Sequence, residues 1–114
     1  MKSLLAVAAV GVVVLGVSRV ANAGRPDPEA GKELAKVMCA ACHGRDGISL
    51  VANYPNLRGQ KVKYLIQQLE KFRSGERESP GLMNPVASQL SDADIKNVAA
   101  YFSSLEWVPH GDAE

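Results

Sequence analysis

The two cysteines of this chain stand three residues apart, and a histidine directly follows the second one. Cys39 and Cys42 are the only cysteines, and His43 completes the pattern Cys-x-x-Cys-His. Thiols at this spacing lie on one face of a helical turn, where they can form thioethers with the two vinyl groups on adjacent sides of a porphyrin. The imidazole that follows then lies under the ring centre, where a nitrogen can bind iron. We therefore predict one covalent haem c, with His43 as the proximal iron ligand.

Three other interpretations of the same residues have less support. A thioredoxin-like redox disulfide is expected beside a βαβ pattern, and no strand-rich segment is visible in the sequence. A structural zinc site needs four ligands, whereas the only other histidine is His110, near the end of the chain. A structural disulfide between Cys39 and Cys42 would close too small a loop to stabilise the fold much.

The first 23 residues have the three-part layout of a secretory signal peptide. Lys2 precedes an apolar run over residues 4–17, and the triplet Ala21-Asn22-Ala23 follows it. A retained membrane anchor is the alternative, but a run of about 14 apolar residues is shorter than the roughly 20 that a spanning helix needs. We expect cleavage after Ala23, export to the periplasm and no stable membrane insertion of the mature chain.

The mature chain, residues 24–114, has the length of a single domain, with its core over about residues 28–107. Cleavage removes Lys2 and Arg19, so the formal charge falls from +1 for the whole chain to −1. Without an overall basic field, the domain is not expected to bind nucleic acid. Aromatic residues make up only 5% of the chain, so a cofactor is expected to fill part of the interior.

Helical periodicity appears in three segments. The first begins at Asp27 and Pro28, an N-cap acid followed by proline at the first helical position, and runs into the cysteines. The second covers about residues 61–72, and the third begins at a capping box over residues 91–94 and continues to about Leu105. The sequence therefore predicts an all-α domain of three to four helices wrapped around one haem.

Glycine, proline and asparagine interrupt this periodicity over residues 44–59 and 73–89. Loops of about 15 residues without structure of their own are uncommon in so small a domain. They are easier to accept if they wrap a large rigid apolar group that supplies their packing partners.

The sixth position of the iron has three candidate ligands, Met38, Met83 and His110. Met38 directly precedes Cys39 and cannot pass around the ring, and His110 lies in a tail expected to be solvated. Met83 lies in a turn-rich loop about 40 residues after His43, far enough along the chain to reach the opposite face of the ring. We predict Met83 as the distal ligand, since methionine and histidine ligation suits an electron carrier.

A stretch over residues 61–77 is rich in basic residues, but three glutamates interrupt it. The basic members are Lys61, Lys63, Lys71, Arg73 and Arg77. The stretch is either an ordinary solvated helix face or a docking rim that steers an acidic partner.

Short motifs follow one another in a fixed order along nearly the whole mature chain, from about Ala30 to Leu105. They are Gly31, Cys39–Gly44, Tyr54–Gln60, Tyr64–Leu65, Gln68–Leu69, Phe72, Met83–Pro85, Leu90–Asp92 and Ala99–Phe102. In these motifs the chain resembles small bacterial class I cytochromes c, in particular single-haem proteins similar to one half of the two-haem type.

This resemblance implies the cytochrome c fold, with the first and last helices crossing near Gly31 and Tyr101. It implies that the carbonyl of Pro55 accepts a hydrogen bond from the second ring nitrogen of His43, which would fix the tautomer of the ligand. It also places the axial methionine at Met83. Arg58 stands where the family often has a small residue, and its role is open.

We expect a monomeric periplasmic carrier of single electrons rather than an enzyme. Its partners would be a redox donor and an acceptor, such as a membrane oxidase or a dehydrogenase. Two alternatives are a haem subunit of a larger dehydrogenase complex and a haem enzyme or sensor with an open sixth site.

Overall fold

The computed structural model describes residue 11 and residues 24–107. Apart from Gly11, the predicted signal peptide lies outside the described residues, and so does His110. In the described part of the chain, no helix has the length and apolar character needed to cross a membrane.

Five helices, and no strand, form the regular structure of residues 24–107. They are α1 (Pro28–Met38), α2 (Ala40–His43), α3 (Val62–Ser74), α4 (Met83–Ser88) and α5 (Asp92–Ser104). The all-α class is confirmed, with five helices in place of the three to four expected. The two short helices, α2 and α4, account for the difference.

The two helix starts read from the sequence have the side-chain caps that their residues suggest. The carboxylate of Asp27 accepts from the backbone N–H groups of Glu29 and Ala30, at 3.0 and 3.2 Å. At the start of α5, Ser91 and Asp94 bond each other's backbone N–H reciprocally, at 2.9 and 3.0 Å. Each cap satisfies N–H groups that have no partner within the helix.

The short helices have simple local causes. α2 continues α1 across Cys39, whose N–H still donates to the Ala35 carbonyl while its own carbonyl accepts from the N–H of His43, both at 2.9 Å. α4 begins at Met83 and holds Pro85 in its first turn, where the missing N–H removes no helical hydrogen bond. A proline that indicated an irregular segment is therefore compatible with a short helix.

The helices α1 and α5 approach most closely at Gly31. A β-carbon on Gly31 would overlap the backbone carbonyl of Asn97 in α5. The side-chain oxygen of Asn97 also accepts from the N–H of Asp27, at 2.8 Å. The crossing therefore requires glycine on α1, and it lies one helical turn before Tyr101.

The hydrophobic core is small and centred on α5. Its main cluster contains Ala35 from α1, Leu65 from α3, and Ala99, Tyr101 and Phe102 from α5. The helix α3 packs against both α4 and α5. As a result, α5 joins α1 to α3, and α3 joins both of them to α4.

Residues 44–59 contain no helix, as expected, but backbone hydrogen bonds fix their path. The N–H of Leu57 donates to the carbonyl of Gly47 at 2.8 Å and closes the loop on itself. The N–H of Gly59 donates to the carbonyl of Phe102 at 2.9 Å. The loop is therefore attached to α5 rather than held only by its own turns.

Arg58 joins this loop to the chain that follows α5. Its Nε donates to the carbonyl of Glu106 at 2.6 Å, and its guanidinium lies 3.9 Å from the carboxylate of Asp46. The sequence left the role of this arginine open, and the structure gives it a stabilising one.

Candidate haem site

We call residues 39–55 the attachment segment, because they carry four of the five candidate site residues. Cys39 ends α1, and α2 presents Cys42 and His43 one turn further along. The two thiols are half-buried and form no disulfide. The imidazole of His43 is only 7% exposed, and among residues 24–107 it is the one buried polar side chain.

One hydrogen bond fixes the imidazole of His43. Its Nδ1 lies 2.7 Å from the carbonyl oxygen of Pro55. A carbonyl can only accept, so Nδ1 carries a proton and donates; in the neutral ring this tautomer leaves the lone pair on Nε2. This is the protonation state that a histidine needs in order to bind a metal through Nε2.

The thiol chemistry distinguishes this site from a redox disulfide. Burial raises the pKa of the Cys39 thiol to about 11, and the charge of Cys42 adds a smaller contribution in the same direction. At neutral pH Cys39 is therefore a thiol, whereas thioredoxin-like pairs depend on a thiol with a lowered pKa.

The donor set also argues against zinc. Nowhere in residues 24–107 do three or more His, Cys, Asp or Glu side chains form a group that could hold a metal ion. Two free thiols three residues apart, followed by an imidazole with one nitrogen available, fit a haem c instead.

Met83 lies outside the attachment segment. It is the first residue of α4, it is half-buried, and its N–H donates to the hydroxyl of Ser79 at 3.3 Å. We call residues 79–84 the Met83 segment. The structure thus brings the other four candidates together in one segment and places Met83 on a separate element that packs against α3.

Two residues with no role assigned from the sequence support these segments. The Ser49 hydroxyl lies 3.1 Å from the carbonyl of Cys42, and the Ser49 N–H donates to the side chain of Asn56 at 2.6 Å. The side chain of Asn84 makes three hydrogen bonds to backbone groups around the Met83 segment. Serine and asparagine are common in turns, but that tendency does not say which backbone group they bind.

Comparison with known proteins supports the same conclusion. The family model for cytochrome c matches residues 28–106, which include all five helices. The chain belongs to the cytochrome c family. Its cofactor is therefore haem c with iron, bound covalently through the Cys-x-x-Cys-His pattern, and this cytochrome is an electron-transfer protein.

Individual relatives agree with the family assignment. Cytochrome c-554(548) of Halomonas halodenitrificans is 49% identical over 70 residues, which cover 60% of this chain and 84% of that protein. The reduced recombinant cytochrome c4 of Pseudomonas stutzeri has a TM-score of 0.65 at 37% identity, over 72% of this chain and 47% of that one. The thiosulfate dehydrogenase electron acceptor of Stutzerimonas stutzeri is 40% identical over 85 residues, covering 74% of this chain and 38% of that protein.

This chain is shorter than two of these relatives. This chain spans less than half the length of the cytochrome c4 and of the thiosulfate dehydrogenase electron acceptor. It resembles one domain of a dihaem cytochrome c4, as the sequence motifs indicated.

Proposed function

We propose that this cytochrome is a monomeric periplasmic carrier of single electrons in which His43 and Met83 bind the haem iron. The observation that carries the proposal is the buried imidazole of His43, held through Nδ1 by Pro55 and preceded directly by Cys42. Haem c, when bound, supplies the iron that alternates between the ferrous and ferric states. The chain supplies the ligands and keeps them fixed.

In this proposal the four candidate site residues of the attachment segment have separate tasks. Cys39 and Cys42 provide the thioether sulfurs, and His43 provides Nε2 as the proximal ligand. The carbonyl of Pro55 fixes the ring orientation and makes the imidazole a stronger donor to the metal. Covalent attachment and a fixed tautomer both favour one coordination geometry in the two oxidation states.

Met83 is proposed as the distal ligand because its backbone is hydrogen-bonded and its side chain is half-buried. A thioether is a soft neutral donor, and methionine and histidine ligation raises the reduction potential of a haem. A closed sixth position also suits electron exchange, since no substrate has to reach the iron.

The ferric absorption spectrum tests the ligation. Methionine-bound ferric haem has a weak charge-transfer band in the red, so we expect the band in the wild-type protein and its loss in Met83→Ala. Met38→Ala is the matched control and should keep the band, because Met38 lies at the end of α1 beside the attachment segment. A wild-type spectrum without the band, unchanged by Met83→Ala, would favour the haem enzyme or sensor with an open site.

Export and processing are a separate part of the proposal. We propose that residues 1–23 form a signal peptide removed after Ala23 and that residues 24–114 form a single domain in the periplasm. Intact mass of the exported protein should equal a chain beginning at Gly24 plus one haem. A mass without haem would contradict the covalent site, and a mass that includes residues 1–23 would contradict cleavage.

A second candidate function is supported by the relative named as an electron acceptor of thiosulfate dehydrogenase. In that case this cytochrome would take electrons from a dehydrogenase, as a partner or as a subunit of its complex. Mixing the ferric protein with a thiosulfate dehydrogenase and thiosulfate in a stopped-flow instrument should then reduce the haem within the turnover time of the enzyme. Failure to reduce it, while a generic acceptor is reduced, would exclude this donor.

Two of the basic residues in the stretch over residues 61–77 form ion pairs within the domain, which leaves fewer of them for a docking rim. Lys71 pairs with Glu76 at 3.3 Å, and Arg73 pairs with Asp92 at 2.6 Å. Lys61 is exposed before the first turn of α3, and it forms no ion pair in the described part of the chain.

Lys63 is likewise exposed and without an ion pair among residues 24–107. Arg77 is also exposed, but its guanidinium donates to Gln68 at 2.9 Å and lies over the Phe72 ring. Lys61 and Lys63 are therefore the members that we propose for an acidic partner. With such a partner, the double variant Lys61→Gln/Lys63→Gln should slow electron exchange at low salt and flatten its salt dependence. Lys96→Gln, on the exposed side of α5, is the control. Equal salt responses in all three proteins would identify the stretch as an ordinary solvated helix face.

A further inference from the structure

The side chain of Asn84, the residue directly after Met83, bonds three backbone groups. Its Nδ2 donates to the carbonyl of Phe72 at 2.7 Å and to the carbonyl of Arg77 at 2.9 Å. Its Oδ1 accepts from the N–H of Ser79 at 2.5 Å. One half-buried amide therefore connects the last turn of α3, the loop that follows it and the first turn of α4.

The chemistry of these partners fixes the orientation of the amide. Two of the three groups are carbonyls, which only accept, and the third is an N–H, which only donates. The reversed amide would place its oxygen against both carbonyls and its NH₂ against an N–H. Asparagine in this one orientation satisfies all three groups, and neither aspartate nor alanine can do so.

Ser79 completes the arrangement from the other side. Its hydroxyl accepts from the N–H of Met83 at 3.3 Å, and its carbonyl accepts from the N–H of Asn84 at 3.1 Å. The N–H of Met83 is therefore hydrogen-bonded, and the side chain of the next residue, Asn84, forms three hydrogen bonds of its own. Its backbone is held on both sides.

The groups that Asn84 binds are themselves fixed. Phe72 belongs to α3, which ends at Gly75 in a left-handed conformation with φ of 83°. The guanidinium of Arg77 lies 4.4 Å from the centroid of the Phe72 ring, and the N–H of Arg77 donates to the carbonyl of Lys71 at 3.0 Å. The loop after α3 is thus folded back on the helix and provides a firm anchor.

We propose that Asn84 is a positioning residue for Met83: it holds the Met83 segment against α3 so that the thioether stays at the iron. This inference rests on the proposed ligation by Met83. Asn84 touches neither the iron nor the thioether in this account, and acts only by making it costly for the segment to move away. Losing it should raise the fraction of molecules in which the sixth position is open.

That fraction can be measured with imidazole, which binds ferric haem only when methionine has left. The apparent affinity for imidazole equals the affinity of the open form multiplied by the fraction of molecules that are open, so a looser segment gives tighter binding. We expect Asn84→Ala and Asn84→Asp to bind imidazole about tenfold more tightly than the wild type, since each loses both hydrogen bonds to carbonyls.

Asn97→Ala is the matched control. Asn97 also bonds a backbone N–H through its side chain, but it does so at the crossing of α1 and α5, away from the Met83 segment. This variant should lower the thermal midpoint, as the Asn84 variants do, without changing the affinity for imidazole. The control separates positioning of the ligand from a general loss of stability.

A further variant guards against poor folding of the Asn84 proteins. Ser79→Ala removes only the acceptor for the N–H of Met83 and should tighten imidazole binding about two- to threefold. If the Asn84 proteins do not accumulate, this variant decides: wild-type affinity in Ser79→Ala would overturn the inference.

The two proposals fail in different ways. A wild-type ferric spectrum without the methionine band would show that Met83 is not the ligand, and the inference would fall with it. If the band is present and responds to Met83→Ala, but the Asn84 variants bind imidazole as the wild type does, only the inference is overturned.

Discussion

The attachment segment and the Met83 segment are held by different kinds of contact. The attachment segment is connected to the distant helix α5, through the Tyr101 hydroxyl that donates to the carbonyl of Arg45 at 3.2 Å and through the loop bonded to Phe102. The side-chain hydrogen bonds that hold the Met83 segment all fall within residues 72–84. Opening the first would break hydrogen bonds to α5, whereas opening the second would break only hydrogen bonds to the end of α3 and the loop that follows it.

Because of this difference, we expect the two proposed ligands to leave the iron with different ease. Proteins open locally with free energies that range from near zero up to that of global unfolding. On this view His43 stays bound as long as the domain is folded, while Met83 can leave in a local opening. One ligand would then be held in place by the whole fold, and the other by a short segment that can open locally.

The largest expected effect separates the two ligands during assembly. His43→Ala should reduce the amount of covalent holoprotein by at least about tenfold, because it removes the ligand around which the attachment segment is built. Met83→Ala should accumulate near the wild-type level with its haem attached. Haem staining and intact mass measure both, and equal losses in the two variants would contradict the comparison.

Two glycines extend the comparison to the scaffold. Gly31→Ala should lower the free energy of unfolding by about 2–3 kcal/mol, since the added carbon overlaps the backbone of α5. A β-carbon on Gly81, in the Met83 segment, would have no atom within 4 Å, so Gly81→Ala should change the free energy of unfolding by no more than about 0.5 kcal/mol. Denaturant unfolding of the two holoproteins checks this, and similar costs would argue against a rigid crossing of α1 and α5.

Hydrogen exchange should show the local opening directly. The amide hydrogens of Met83 and Asn84 should have opening equilibrium constants at least about tenfold larger than those of Cys39 and His43, which corresponds to about 1.4 kcal/mol. Exchange measured by NMR on the ferric protein gives all four values. Uniform protection would mean that the domain opens as one unit.

Arg58 gives the smallest of these effects. Arg58→Ala should lower the free energy of unfolding by about 1 kcal/mol, because a partly exposed charged hydrogen bond to the carbonyl of Glu106 is lost. Arg45→Ala is the control, since the Arg45 side chain is exposed and should contribute within about 0.5 kcal/mol. If Arg45→Ala lowered the free energy of unfolding as much as Arg58→Ala, the hydrogen bond from Arg58 to Glu106 would have no special stabilising role.

How far the sequence predicts this molecule depends on the range of the interaction. The caps at Asp27 and Ser91 and the pattern at residues 39–43 are local, and residue type and spacing are enough to recognise them. The start of α4 at Met83 was missed because Pro85 indicates a break unless its position within the first turn is known.

The supporting contacts were missed for another reason. Asn84 and Arg58 bind backbone carbonyls, and every residue has a carbonyl, so no sequence pattern identifies the partner. Only the family resemblance, and no residue pattern, indicated the carbonyl of Pro55. Tertiary contacts of this kind become visible only when the path of the chain is known.

The reduction potential of Met83→His, compared with that of the wild type, tests whether residue 83 binds the haem iron. Replacing a methionine ligand by histidine lowers the potential of a haem, and axial ligands set this property over a range of about 0.8 V. If His43 and Met83 hold the iron of a closed electron carrier, protein-film voltammetry should show one reversible couple that falls by roughly 0.1 V or more in the variant. The same potential in both proteins would show that residue 83 is not a ligand, and the proposed carrier with His43 and Met83 on the iron would be wrong.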